Sequence, residues 1–481
     1  MPRPAVACII CDSHHIERRV SDSRFDNIPE LAGVATYESA ARVGFSVDEN
    51  VRRLLRYHWM ERRLMWTLVA RLTAEPVWEV KCAFALHQWQ CAEHVDGLRA
   101  RIGEMRSPLP SLDTSPDRRL DDFFAELQKS RETAELLAGI YEVALPAVAA
   151  AYREHLARTN PLVDHPTRRV LRFALLEAED AIAWGASALA ALRDGGGATT
   201  EEGEWSEHLR AYLIAAGGIA GDETGGDAIR LPSPRAGEAF VPDFHPKRDE
   251  RFQGSYNFNF PPHVVYNMPD VPADERNLAL ICKRTLEMDV PEMMASFMTE
   301  RSGESWEFYR DYSRQLWDEA RHAMMGTVAL TARGVDWKSE VPLNVSFALR
   351  LNLHATPLER QVMLYAIEQS LMPADTGKRL EYETAKAAGD ELSSHFHDYD
   401  WADEVLHAHI GRRMLKRDGI TAAEAAEQAR AVHEKTWTAL DDYANLGEQR
   451  SWWPAFVRRV LGHESAIADE KDLGPINVFS E

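Results

Sequence analysis

Asp318-Glu319-Ala320-Arg321-His322 and Asp403-Glu404-Val405-Leu406-His407 share one pattern, Asp-Glu-x-x-His. On a helix, residues three apart lie on one face. Glu319 and His322 therefore point the same way, as do Glu404 and His407. Two such pairs, with one carboxylate from each of two further helices, make the ligand set of a di-metal carboxylate centre in a four-helix bundle. The leading acids fit a second task. A metal-bound imidazole usually donates its other N–H to a carboxylate, which fixes its tautomer, and Asp318 and Asp403 are placed to serve the histidine on the facing helix. One such motif alone reads as surface acids and a satisfied histidine. Two of them, each with its Asp, outweigh that reading.

Both remaining carboxylates have candidates. Thr356-Pro357-Leu358-Glu359 is a capping box with Pro at the first helical position. Glu368 lies on the helix it starts, among Leu364, Ile367 and Leu371, where an acid is costly unless paired or metal-bound. The first helix offers Glu287 and Glu292. Glu292 is preferred because Val290, Met293 and Met294 surround it, with Pro291 expected to kink the helix. The expected metal ligands are Glu292, Glu319, His322, Glu368, Glu404 and His407. Glu368 and Glu404 are the expected catalytic carboxylates, and Asp318 and Asp403 support the imidazoles.

From Glu287 to Met414 the chain resembles an uncharacterised bacterial family of ferritin-like proteins. The resemblance runs through Glu287-Met-Asp-Val-Pro-Glu292-Met, Asp318-Glu-Ala-Arg-His322-Ala, Arg333-Gly-Val-Asp-Trp337, Val341-Pro-Leu-Asn344, Ala388-Gly-Asp-Glu391 and Asp403-Glu-Val-Leu-His-Ala-His-Ile-Gly411. It implies a ferritin-like fold and a metal site, aligns Glu292 with the family's first carboxylate ligand, and lends no settled reaction. The paired motif is also similar to bacterial di-iron oxygenases and to the radical-generating subunit of ribonucleotide reductase.

Carboxylates with two imidazoles suit iron or manganese, whereas structural zinc would bring thiolates. Two iron ions per chain are expected, with an iron–manganese pair as the variant and O2 as co-substrate. The expected activity is a monooxygenase or oxidase reaction: hydroxylation, N-oxygenation or desaturation of a small organic substrate. Its pocket would be lined by Met294, Phe297, Trp317 and Tyr365, and an external electron donor fits such chemistry. A ferroxidase or iron-handling protein would use the same ligands, and a non-catalytic helical scaffold would bind no metal.

The elements that hold these residues are helices throughout. Ala, Leu, Glu and Arg dominate, and apolar residues recur at three and four. The reading is all-α: an arm (1–50), a helical block (51–195), a Gly-, Pro- and Asp-rich linker (196–272) ordered in its later part, where Phe258, Phe260 and Tyr266 need burying, a second block (273–416) and a helical tail (417–481). The blocks read as copies of one ferritin-like bundle. Trp78-Glu79 and Trp306-Glu307, Trp89 and Trp317, and His94 and His322 match at one offset, with Glu142 and Glu368, and Glu177 and Glu404, close to it. The first block departs from the motif. Cys91 stands for Glu319, Asp180 for His407, and Gln90 and Leu176 for the two Asp residues, while Leu64 falls opposite Glu292 with Glu61 one turn away. It is expected to be a degenerate, structural copy, so two irons are expected rather than four.

Composition narrows the partners. Across 481 residues the formal charge is −21, which argues against nucleic acid or an anionic membrane surface. No run approaches eighteen apolar residues, so no membrane span is expected. Cys8, Cys11, Cys82, Cys91 and Cys282 are scattered, which fits a reduced cytoplasm. Cys8 and Cys11, near His14 and His15, lack a second Cys pair and read as incidental. A small-molecule substrate and, for assembly, a homodimer are the expected partners.

Overall fold

Capping residues mark where the long helices begin. Ser46 accepts the Glu49 N–H to open α1 (Val47–Leu72). Thr356 and Glu359 make the expected capping box at the start of the Pro357–Ser370 helix, and Asp390 accepts the Ser393 N–H ahead of Glu391–Arg417. Each cap satisfies donors that the first helical turn leaves open. The computed structural model describes residues 27–194, 200–222, 229–373 and 376–473, and among these it is all-helical, without strands. Cys8 and Cys11 lie outside the described residues.

After α1 come α2 (Trp78–Met105), α3 (Thr133–Arg158, with a π-helical stretch at Ala138–Ala144), α4 (His165–Leu192) and α5 (Thr200–Ala215). The α3 run is long and apolar enough to cross a membrane, but 72% of its apolar window is buried inside the protein. The second block and its flank supply α6 (Ala273–Thr285), α7 (Asp289–Glu300), α8 (Trp306–Thr331), α9 (Pro357–Ser370), α10 (Lys378–Ala387) and α11 (Glu391–Arg417). Helix α7 packs against α8 and α9, and α11 closes the ring by packing against both.

Two glycines tighten this ring, each four residues after a motif histidine. A Cβ on Gly411 would come within 2.9 Å of the Tyr365 ring, and one on Gly326 within 2.8 Å of the Thr285 backbone. Only glycine admits such approaches. Between α6 and α7 a 3₁₀ turn, Leu286–Met288, bends the helix. Pro291 explains the position, because its ring crowds the carbonyl four residues back, at Glu287. The kink therefore falls one turn before the proline.

The two helical blocks meet through α2 against α8 and α1 against α7. Trp89 and Trp317 stack there, with ring centroids 6.4 Å apart and planes 9° from parallel. Gln88 donates to the Ser313 carbonyl at 2.8 Å. The stretch expected to be a linker is more structured than its Gly and Pro content suggests. Trp205, Leu209 and Tyr212, spaced as one helical face, are buried on α5, which packs on Arg118–Leu127 and the π-helical turn. Further on, Phe260 is buried and Arg248 enters the interface between the blocks. The tail is tied down as well: buried Trp453 donates its indole N–H to Glu275 at 3.0 Å.

Candidate metal centre

Helix α11 carries a stripe of functional side chains on one face: His397, Asp400, Glu404 and His407, all at most 2% exposed. The 3-4-3 spacing keeps them in register along the helix. Facing them on α8 are Glu319 and His322, and α9 contributes Glu368, all buried. Glu319, Glu368, Glu404 and His407 bring ligand atoms within 4.8 Å of one another, and Glu287, His322 and Asp400 form a second such group. Glu404 stands between them, with one oxygen 3.2 Å from His407 Nδ1 and the other 3.8 Å from His322 Nδ1.

Both imidazoles are oriented from behind. His322 Nε2 lies 3.1 Å from Asp403, and His407 Nε2 lies 3.4 Å from Asp318. Each aspartate thus serves the histidine of the facing helix, and each Nδ1 is turned towards the acids of the centre. Arg314 donates to Asp318 at 2.8 Å, while Arg321 pairs with Asp318 and with Asp403, the latter at 2.8 Å. Burial alone would raise the Asp318 carboxyl, yet His407 and the two arginines hold it well below the ordinary range.

Inside the centre, bonding is incomplete. Glu319 Oε1, Glu368 Oε2 and His322 Nδ1 are buried without a well-aligned hydrogen bond, with His407 Nδ1 3.2 Å from Glu319 Oε1 and Asp400 3.1 Å from His322 Nδ1. Gln315 donates to the other Glu368 oxygen at 2.8 Å, leaving Oε2 facing the acids. Burial, with Glu404 and Glu319 beside it, pushes the Glu368 carboxyl well above its ordinary range. Burial works against a charged His322, but Asp400 and Asp403 overcome it and push the imidazole up to about 10. Protons therefore stand where the acids call for cations. Orphaned buried polar atoms in a nest of carboxylates and imidazoles fit a metal ion.

The first-helix acid that the structure brings to this centre is not the one preferred from sequence. Glu292 is fully buried, but it pairs with Lys81 from α2 and with Arg248, whose Nη2 is 3.1 Å away. Its apolar neighbours signal burial correctly, while the compensating charges come from residues remote in sequence. Glu287, on the 3₁₀ turn, reaches the centre instead, 3.8 Å from His322 Nδ1. Asp400 joins the centre without having been expected there, although its place one turn before Glu404 is visible in the spacing. Lys378 is a second unexpected member: it is buried 2.9 Å from Asp400 and 3.1 Å from Glu404. Burial disfavours its charge, but Asp400, Glu287 and Glu404 hold it protonated.

The expected pocket is also displaced. Met294 and Phe297 are fully buried, and the Phe297 ring lies edge-on to Tyr312 at 5.0 Å. They fill core rather than line a cavity. A cavity of about 590 Å³ opens between the two blocks, lined by Trp78, His87, Trp184, Trp317, Met324 and Trp337 among others. Trp317 alone of the four expected residues belongs to it. Trp317 and Met324 lie on α8, the helix that carries Glu319 and His322.

In the first block, Glu61, not Leu64, supplies the acid on α1. Its Oε1 lies 3.2 Å from His94 Nδ1 and accepts the Tyr152 hydroxyl at 2.7 Å, while His94 Nε2 is 2.8 Å from Glu177. Glu142 turns away to pair with Arg193 at 2.8 Å. No family model, curated protein or solved structure matches this chain.

Proposed function

We propose that this chain is a ferritin-like, non-haem iron protein that uses O2 to oxidise a small organic substrate. The observation that carries the reading is the buried group Glu319, Glu368, Glu404 and His407, in which no described Lys or Arg pairs with Glu319 or Glu368. In this reading these four residues hold one metal position, and Glu287, His322 and Asp400 frame a second beside it. The hard, oxygen-rich donor set with imidazole nitrogen suits iron or manganese. Iron bound there would supply the redox chemistry with O2.

The chain's own residues have definite tasks in this scheme. Asp318 and Asp403 hold the two imidazoles with Nδ1 inward, and Arg314 and Arg321 pair with those aspartates. Gln315 fixes one Glu368 oxygen and leaves the other free for a cation. Burial of Glu319, Glu368, Glu404 and His407 excludes bulk water from the first position, which strengthens electrostatic control there. The cavity lined by Trp317 and Met324 is the proposed substrate chamber. An external electron donor, a cytoplasmic setting and a second copy of the chain as partner accompany the proposal.

We further propose that the two blocks are duplicated four-helix bundles of which only the second kept its metal. Helices α2 and α8 both open on a Trp-Glu pair, and the stacked Trp89 and Trp317 occupy matching positions on them. Anaerobic loading with Fe(II), followed by metal analysis and O2 uptake with candidate substrates, tests the reading. Bound iron with substrate-dependent uptake supports it. Uptake that only oxidises iron would make the protein a ferroxidase, and protein that retains no iron would be a helical scaffold.

A further inference from the structure

Among the described residues, acids and histidines converge in three groups: Glu319–Glu368–Glu404–His407, Glu287–His322–Asp400 and Glu381–His397–Asp400. The groups differ in whether the protein supplies its own cation. Arg284 fills the third. It donates to His397 Nδ1 at 2.8 Å, to Glu381 at 3.0 Å and to Asp400 at 2.9 Å. Arg284 also pairs with the second, 3.2 Å from Glu287 and 2.8 Å from Asp400 Oδ1, and there Lys378 adds a cation that reaches on to Glu404. Its Nζ is 3.0 and 2.9 Å from the two Asp400 oxygens, 3.1 Å from Glu404 Oε1 and 3.7 Å from Glu287 Oε1. No described Lys or Arg forms an ion pair with Glu319 or Glu368 in the first group, where His407 approaches Glu319 Oε1, at 3.2 Å, and Glu368 Oε2, at 4.0 Å.

The Lys378 side chain is 1% exposed, and its backbone is fixed. Its N–H donates to the Leu371 carbonyl at 3.0 Å. A Cβ on neighbouring Gly377 would fall 2.0 Å from that same carbonyl oxygen, so the chain is drawn in tightly here. An ammonium that hydrogen-bonds Asp400 and forms an ion pair with Glu404 stands where a metal ion would need those oxygens, and two cations in one desolvated nest repel.

We infer that Lys378 is the resident cation of the second position: the protein binds one metal ion tightly, among Glu319, Glu368, Glu404 and His407, and a second only by displacing this ammonium. The inference rests on the proposed metal centre. Two metal positions of unequal affinity replace the symmetric pair expected from the duplicated Asp-Glu-x-x-His motif.

The test is an anaerobic Mn(II) titration of the full chain, with free Mn(II) read by electron paramagnetic resonance. Wild type should show one tight equivalent and a second at least about 100-fold weaker, the order of breaking a buried ion pair. Lys378→Met should bind two equivalents within about 10-fold of each other. Because that variant leaves acids unpaired and can fold poorly, wild-type crystals soaked in limiting Mn(II) provide a second measurement. They should show one anomalous peak, at the Glu319–Glu368–Glu404–His407 group, with Lys378 Nζ still against Asp400. Two equally tight equivalents in wild type, or a single equivalent in well-folded Lys378→Met, would overturn the inference. No binding in either protein would overturn the metal-centre reading itself.

Discussion

His94 and His322 occupy matching places on α2 and α8 and meet opposite surroundings. His94 sits between two acids, Glu61 and Glu177. Burial opposes its charge, but Glu61 and then Glu177 push the imidazole up to about 9. Cys91 stands where an acid would, its thiol pushed well above the ordinary range by burial. His322 instead shares its nest with Asp400, Glu319, Glu404 and Glu287, and His407 and Glu368 add to the same centre. Lys378 and Arg284 neutralise part of that charge and leave the Glu319–Glu368 side without a Lys or Arg partner among the described residues. The difference between the halves is a count of acids against internal cations. Surplus buried carboxylate without an internal cation is the arrangement that could hold a metal ion.

The comparison breaks most sharply at Glu368. Glu368→Ala should weaken metal binding by more than about 100-fold, beyond what loss of an outer partner costs, and abolish turnover. Alanine suits the helix, and the change removes a buried acid, so the metal-free variant should melt at or above the wild-type temperature. Glu292→Gln should do the reverse. It breaks the buried pairing with Lys81 and Arg248, so denaturant unfolding should show a loss of about 3–5 kcal/mol, with metal content unchanged. Loss of metal in that variant would restore Glu292 as a ligand.

The first half should report through pH. The His94 pKa is raised from 6.5 to about 9, so its contribution is fully present below pH 6.5 and lost as pH rises through about 9. At about 1.4 kcal/mol per pKa unit, the contribution is at most about 3 kcal/mol. His94→Leu should therefore flatten the fall in unfolding free energy between those pH values, and an unchanged slope would remove the charge assignment. The mildest change is Asp403→Asn, which keeps the shape behind His322 but removes the charge. Metal affinity measured by competition with a chelator should fall by about 10- to 100-fold.

Residues that act through helical spacing are legible in the sequence. Glu319, His322, Glu404 and His407 follow from two repeats of one motif, and Asp318 and Asp403 from the need of a ligand imidazole for a carboxylate. Glu368 follows from an acid on an apolar face. The same reasoning misplaces Glu292, because burial does not reveal what compensates it, and both Lys81 and Arg248 arrive from other parts of the chain. Lys378 comes after a loop and carries no periodic signal, so its place in the centre emerges only when α10 packs against α11. The structured part of the linker is hidden for a related reason: the face made by Trp205, Leu209 and Tyr212 is diluted by the glycine and aspartate around it.

Metal retention tests the central claim most directly. Wild type, Glu368→Ala and His94→Leu should be loaded anaerobically with Fe(II), washed with chelator and assayed for iron. The account predicts iron retained by wild type and by His94→Leu and lost by Glu368→Ala. Iron washed freely from wild type, or lost from His94→Leu and kept by Glu368→Ala, would contradict it.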